Sequence, residues 1–149
     1  MPGGAIAVAS DHAGFDLKEI LKRDLQEAGH DVLDLGTDST QSVDYPDFGL
    51  AMADAVASGQ AEKGVLVCGT GIGISMAANR NPKVRAALVH DVTSARLTRL
   101  HNDANVVAFG QRVIGTETAR EALRVFLDTE FEGGRHAGRV AKLSKGCTK

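Results

Sequence analysis

The stretch Gly64-Val65-Leu66-Val67-Cys68-Gly69-Thr70-Gly71-Ile72-Gly73-Ile74-Ser75 decides how this chain is read. An apolar, β-branched run ends in a cysteine, a glycine-dense turn follows, and an apolar segment of helical character opens at once. In an α/β protein, ligands sit beyond the carboxyl ends of parallel strands. Glycines there let backbone N–H groups crowd round an anion, and the following helix adds its positive end. A cysteine at that spot sits where a thiolate is stabilised, although a cysteine closing an apolar strand also suits plain core packing. Strict alternation of Gly69, Gly71 and Gly73 favours a site, because a simple turn needs only one glycine. The run is a poor nucleotide motif: it lacks the lysine of a phosphate-binding loop, and its spacing is GxGxG rather than GxGxxG. Asp91, 20 residues beyond Gly71 and near the end of the next predicted strand, keeps a nucleotide-binding module open as an alternative.

Short apolar runs alternate with helical patterns on both sides of this stretch. Strands are predicted at Ala5–Ala9, Val32–Leu35, Val65–Cys68, Val84–Val89 and Asn105–Phe109. Between them, residues 15–28 carry Leu17, Ile20, Leu21, Leu25 and Ala28 on one helical face, and Pro46 opens a second helix closed by Gly59. Further helices are expected from the glycine turn to about Asn79, over 92–102 and 116–129, and after Gly133-Gly134. This alternation predicts an α/β fold: a single doubly wound, Rossmann-like domain over residues 1–149, with about five parallel strands flanked by helices and a C-terminal helical extension.

Composition narrows the function classes. With 149 residues, 43% hydrophobic and 24% charged, the chain fits one soluble domain with a proper core. A net charge of -2 argues against nucleic-acid binding. No stretch approaches the ~18 apolar residues of a membrane helix, and Met1-Pro2-Gly3-Gly4 lacks a secretory signal. The two cysteines, Cys68 and Cys147, do not make a disulfide framework, which points to a reduced, cytoplasmic protein; Cys147 reads as part of a polar tail. No cysteine or histidine pair stands at zinc-ligand spacing.

In a parallel sheet the loops after the strands share one edge. Ser10-Asp11-His12-Ala13-Gly14, Asp44-Tyr45-Pro46, Cys68 to Gly73, His90-Asp91 and Gly110-Gln111-Arg112 therefore gather there. Asp11 suits a helix N-cap as well as an orienting carboxylate. Arg135 and Arg139, four apart, share one face if helical and suit bidentate phosphate binding; a solvated basic tail is the plainer account. His101 closes a helix, where the negative terminus favours imidazolium, fit either for acid catalysis or for C-terminal capping.

Asp11-His12-Ala13-Gly14, Asp44-Tyr45-Pro46, Cys68-Gly69-Thr70-Gly71-Ile72-Gly73, His101-Asn102-Asp103-Asn105 and Glu132-Gly133-Gly134-Arg135-His136 occur in this order. Together they resemble the sugar-phosphate isomerases of ribose-5-phosphate isomerase type B and their galactose-6-phosphate relatives, over about residues 5–140. The resemblance implies an aldose–ketose isomerase without metal or cofactor that interconverts ribose 5-phosphate and ribulose 5-phosphate through a cis-enediol, with a six-carbon substrate, galactose 6-phosphate or allose 6-phosphate, as the alternative. It implies Cys68 as the base, Thr70 as a hydroxyl-proton shuttle, and the amides of Gly69, Gly71, Ile72 and Gly73 as the enediolate cradle. His101 with Asp11 would open the furanose ring. His12, Arg112, Arg135 and Arg139 would bind phosphate, and Tyr45 and Asn102 the sugar. Relatives that use a glutamate base differ from this chain, and many carry an aromatic residue where Thr93 stands. The resemblance further implies a homodimer, or a tetramer, with the site at the subunit interface and His101, Asn102 and Arg112 supplied by the partner.

Overall fold

The computed structural model describes residues 4–146, so Cys147 lies outside the described residues. Five strands, β1 (Ile6–Ser10), β2 (Val32–Asp34), β3 (Lys63–Cys68), β4 (Ala86–Leu88) and β5 (Val106–Gly110), pair in parallel in the order β2-β1-β3-β5-β4. Six helices connect and cover them: α1 (Phe15–Glu27), α2 (Tyr45–Ala57), α3 (Ile72–Ala78), α4 (Val92–Asn102), α5 (Thr116–Asp128) and α6 (Arg135–Gly146). The expected doubly wound fold is what forms. Edge strand β4 is shorter than its apolar run, because Val84 is turned into the preceding loop by its N–H bond to the Asn81 carbonyl.

The period of two along each strand divides the core between the faces. Ile6, Val8, Val65, Val67, Val107 and Phe109 meet Leu17, Leu21, Ala95, Leu123 and Phe126 from α1, α4 and α5. Ala7, Ala9, Leu66, Cys68, Val106 and Ala108 meet Met52, Ala53, Ile74 and Ala78 from α2 and α3. Small side chains on this second side let α2 and α3 lie close: a Cβ on Gly49 would come within 2.6 Å of the Ala77 Cβ. Both faces are covered, as a parallel sheet requires.

The inward face of α1 departs from the expected pattern. Lys18 is 1% exposed, whereas Ile20 is half-buried and Ala28 exposed. Its ammonium reaches Asp34 Oδ1 at 2.9 Å, Glu19 Oε2 at 3.3 Å and the Thr37 carbonyl at 2.6 Å. Thr37 in turn donates its N–H to the Ser10 carbonyl at 2.9 Å, so this buried cation pins the loop after β2 against the end of β1.

Burial alone would raise the Asp34 pKa. Hydrogen bonds from Lys22, the Gly36 N–H and Lys18 outweigh it and hold the carboxyl below its usual range. A depressed folded value contributes stability that is complete above about pH 4 and is lost as pH falls through that value. Asp34→Ala is expected to cost about 2 kcal/mol, less than a fully buried pair because Asp34 is partly exposed and Glu19 remains. It should also remove part of the acid sensitivity. Urea unfolding at pH 7 and below pH 4 measures both.

Candidate active site

In the strand order β2-β1-β3-β5-β4, successive connections leave β1 for β2 on one side and reach β3 on the other. The order in which strands are added therefore reverses between the parallel β1 and β3, and the crevice beyond their carboxyl ends is where doubly wound sheets bind ligands. A cleft of about 480 Å³ lies there, lined by Asp11, His12, Tyr45, Cys68, Gly69, Thr70, Ile72, Gly73, Met76 and Arg112. A wider cleft of about 930 Å³ at the amino edge, near Gly4, Glu62 and Phe131, brings none of these residues together.

Cys68 ends β3 on the α2–α3 side and is 4% exposed. The Gly71 N–H donates to its Sγ at 3.1 Å. That bond exists because Gly71 takes φ +79°, a left-handed conformation that turns the backbone back over the sulfur. A Cβ at Gly71 would also strike Leu88 Cδ1 at 2.6 Å, so both conformation and space call for glycine. Thr70 is exposed, and its Oγ1 accepts the Ile72 N–H at 3.2 Å. At Gly73 a Cβ would fall 2.5 Å from Tyr45 Cε1; the missing side chain is what lets the Tyr45 ring lie against the glycine turn.

Asp11 caps the short 3₁₀ turn over His12–Gly14: its Oδ1 accepts N–H bonds from Ala13 at 3.0 Å and Gly14 at 3.1 Å. The capping role and a place in the cleft thus coexist. His12 Nδ1 lies 3.1 Å from the Val43 N and 3.2 Å from its carbonyl oxygen, so the backbone takes up that edge of the ring. The Nε2 edge is left for a ligand.

Arg112 follows β5, the neighbour of β3, and its guanidinium lies over Gly69, 3.4 Å from the position a Cβ would occupy. This corrects the expectation that Arg112 comes from a second chain: it lines the Cys68 cleft of its own. Asp91 is also reassigned, since its carboxylate caps α4 by accepting the Ser94 N–H at 2.6 Å, a bond that holds its pKa below the usual range. A carboxylate so engaged does not favour the nucleotide reading. Thr93, exposed in the first turn of α4, lines neither cleft.

The remaining residues form a second cluster. His101, Asn102, His136 and Arg139, with Val140 and Leu143, line a cleft of about 260 Å³ that shares no residue with the first. Its location follows from topology: α4 begins at the carboxyl edge after β4 and must end at the amino edge, where β5 starts. Arg85, just before β4, donates through Nε to the Asp103 carbonyl at 2.7 Å, and Ser144 on α6 donates to the Pro82 carbonyl at 3.0 Å. Arg99, 6% exposed, ties the same end down through Asp103 Oδ1, the Ala104 carbonyl and the Thr129 carbonyl. Arg135 and Arg139 stand one turn apart on α6, both exposed, as their spacing predicted. Within one chain, the Cys68 and His101 clusters sit at opposite ends of the strands, about 15–20 Å apart.

A doubly wound α/β fold with a thiol, a glycine cradle and cationic side chains at its switch point is that of an enzyme handling a small anionic substrate. The chain belongs to the ribose/galactose isomerase family, which it matches over residues 6–143, and it is a sugar-phosphate aldose–ketose isomerase. It is 45% identical to ribose-5-phosphate isomerase B of Escherichia coli over 139 residues, 93% of each chain. It is 43% identical to D-erythrulose-4-phosphate isomerase of Pectobacterium atrosepticum over 140 residues, 93% of this chain and 92% of that one. The solved ribose-5-phosphate isomerase B of Clostridium thermocellum superposes with a TM-score of 0.94 at 48% identity, over 95% of each chain.

Proposed function

We propose that the enzyme interconverts ribose 5-phosphate and ribulose 5-phosphate through a cis-enediol, with Cys68 as the base. The observation that carries this reading is the Gly71 N–H aimed at the Cys68 sulfur on the floor of the switch-point cleft. The thiolate takes the proton from C2 of the open-chain aldose, and charge moves to O1. Amides of the Gly69–Gly73 turn hold that oxygen, as donors do where charge develops. Thr70 passes the O2 proton to O1, and the Cys68 thiol returns its proton to C1, completing the ketose. Tyr45 contacts the sugar. His12 and Arg112 take the phosphate from one side.

His101 with Asp11 opens the furanose, and Asn102, Arg135 and Arg139 complete sugar and phosphate binding. Asp11 already lines the Cys68 cleft, whereas His101, Asn102, Arg135 and Arg139 meet Cys68 only if a second copy of the chain brings its His101 cluster there. The exposed Ile72 (45%) and Met76 (65%) on α3, beside that cleft, offer apolar surface for such a homodimer.

Initial rates with EDTA present, on erythrose 4-phosphate, ribose 5-phosphate, and allose and galactose 6-phosphates, test the substrate. Ribose 5-phosphate is expected to give the highest kcat/KM; faster turnover of a hexose 6-phosphate would move the enzyme to the six-carbon branch.

A further inference from the structure

His136 stands apart from the functional residues discussed so far, because it is the buried member of a cluster whose other polar groups reach solvent. It is 5% exposed, and its ring stacks on that of His101 with centroids 4.5 Å apart and planes 23° from parallel. Glu132 Oε1 lies 3.2 Å from His136 Nε2, near enough for attraction but off the line of a hydrogen bond. The segment before α6 explains how the two rings meet. The Thr129 carbonyl accepts from Arg99 at 2.9 Å, and the Glu132 N–H donates to the Leu100 carbonyl at 3.2 Å. This segment thus wraps the end of α4 and carries His136 over His101.

An imidazole at a half-exposed helix end has a broad, shallow torsion about its ring bond. A second flat ring, itself held by burial, removes that freedom and leaves the edges of His101 free to reach a ligand. We propose that His136 is a positioning residue for ring opening: it fixes the plane of His101 so that an imidazole nitrogen meets the furanose oxygens, and it takes no part in proton transfer at C1 and C2. The inference rests on the isomerase reading above and assigns a step within it.

The step can be isolated with a substrate that has no ring to open. In 4-deoxyribose 5-phosphate the hydroxyl that closes the furanose is absent and O5 is phosphorylated, so the sugar stays open-chain while C1, C2 and the phosphate are kept. His136→Ala is expected to lower kcat/KM on ribose 5-phosphate at least tenfold and to change it less than twofold on 4-deoxyribose 5-phosphate. His136→Phe, which restores a flat ring without nitrogen, is expected to recover ribose 5-phosphate turnover to within about threefold of wild type. Equal loss on both sugars with the fold intact by circular dichroism would show a merely structural role and overturn the proposal. So would an unchanged rate on ribose 5-phosphate. Should the alanine variant fail to fold, His136→Leu against His136→Phe makes the same comparison of a bulky side chain with a flat ring. A wild type that turns over neither sugar would instead overturn the isomerase reading itself.

Discussion

Cys68→Ala is expected to fold normally and to lose roughly a hundred- to ten-thousandfold in kcat, because a positioned general base accounts for about 10²–10⁴ of the rate and water replaces it poorly. The fold should survive because Cys68 is the last residue of β3 and pairs there with Gly110 of β5, which carries no side chain. Cys68→Ser is a sharper comparison, since it preserves volume and the Gly71 N–H bond but puts a far weaker acid in place of the thiol. It should be nearly as inactive. Substantial turnover by the serine variant, with unchanged binding of inorganic phosphate, would mean that another group moves the proton.

Arg139→Ala should act differently. A charge-assisted bond to phosphate is worth about 2 kcal/mol, or roughly thirtyfold in binding. The phosphate does not change between ground state and transition state, so the loss is expected mostly in KM, with kcat within a few-fold of wild type. Arg135, one turn earlier on α6, limits the damage by remaining. Steady-state kinetics on ribose 5-phosphate separate the two parameters. A fall in kcat with KM unchanged would place Arg139 at the reacting carbons rather than at the phosphate.

Much of the fold can be read directly from the chain, because buried parallel strands are continuous apolar runs and each is followed by glycine or polar turn residues. The Gly69–Gly73 alternation is legible for the same reason: each of Gly71 and Gly73 meets a separate steric demand, one from Leu88 and one from Tyr45. Strand order is not legible, since a run such as Val65-Leu66-Val67 carries no mark of which neighbour it pairs with. Lys18 and Arg99 escape notice because their long charged side chains read as surface, and only the folded chain shows the carboxylates and carbonyls that make their burial tolerable.

The division of the site was half visible. Residues after strands share the carboxyl edge, but His101 and Asn102 end a helix, and a helix that follows a strand must finish at the other edge. That rule separates His101 from Cys68. It also keeps Arg112, which follows β5, with the cysteine.

The two-copy site is best tested by joining two variants that are each disabled in one cluster. Cys68→Ala and His101→Asn chains, carrying different affinity tags and co-expressed, can be purified as the mixed dimer. One of its two sites then carries both substitutions and is dead, whereas the other combines an intact Cys68 with an intact His101. Each parent alone is expected to be nearly inactive on ribose 5-phosphate, and the mixed dimer to recover about half the wild-type rate, one site in two. A mixed dimer no more active than its parents would show that Cys68 and His101 do not serve one site across two chains.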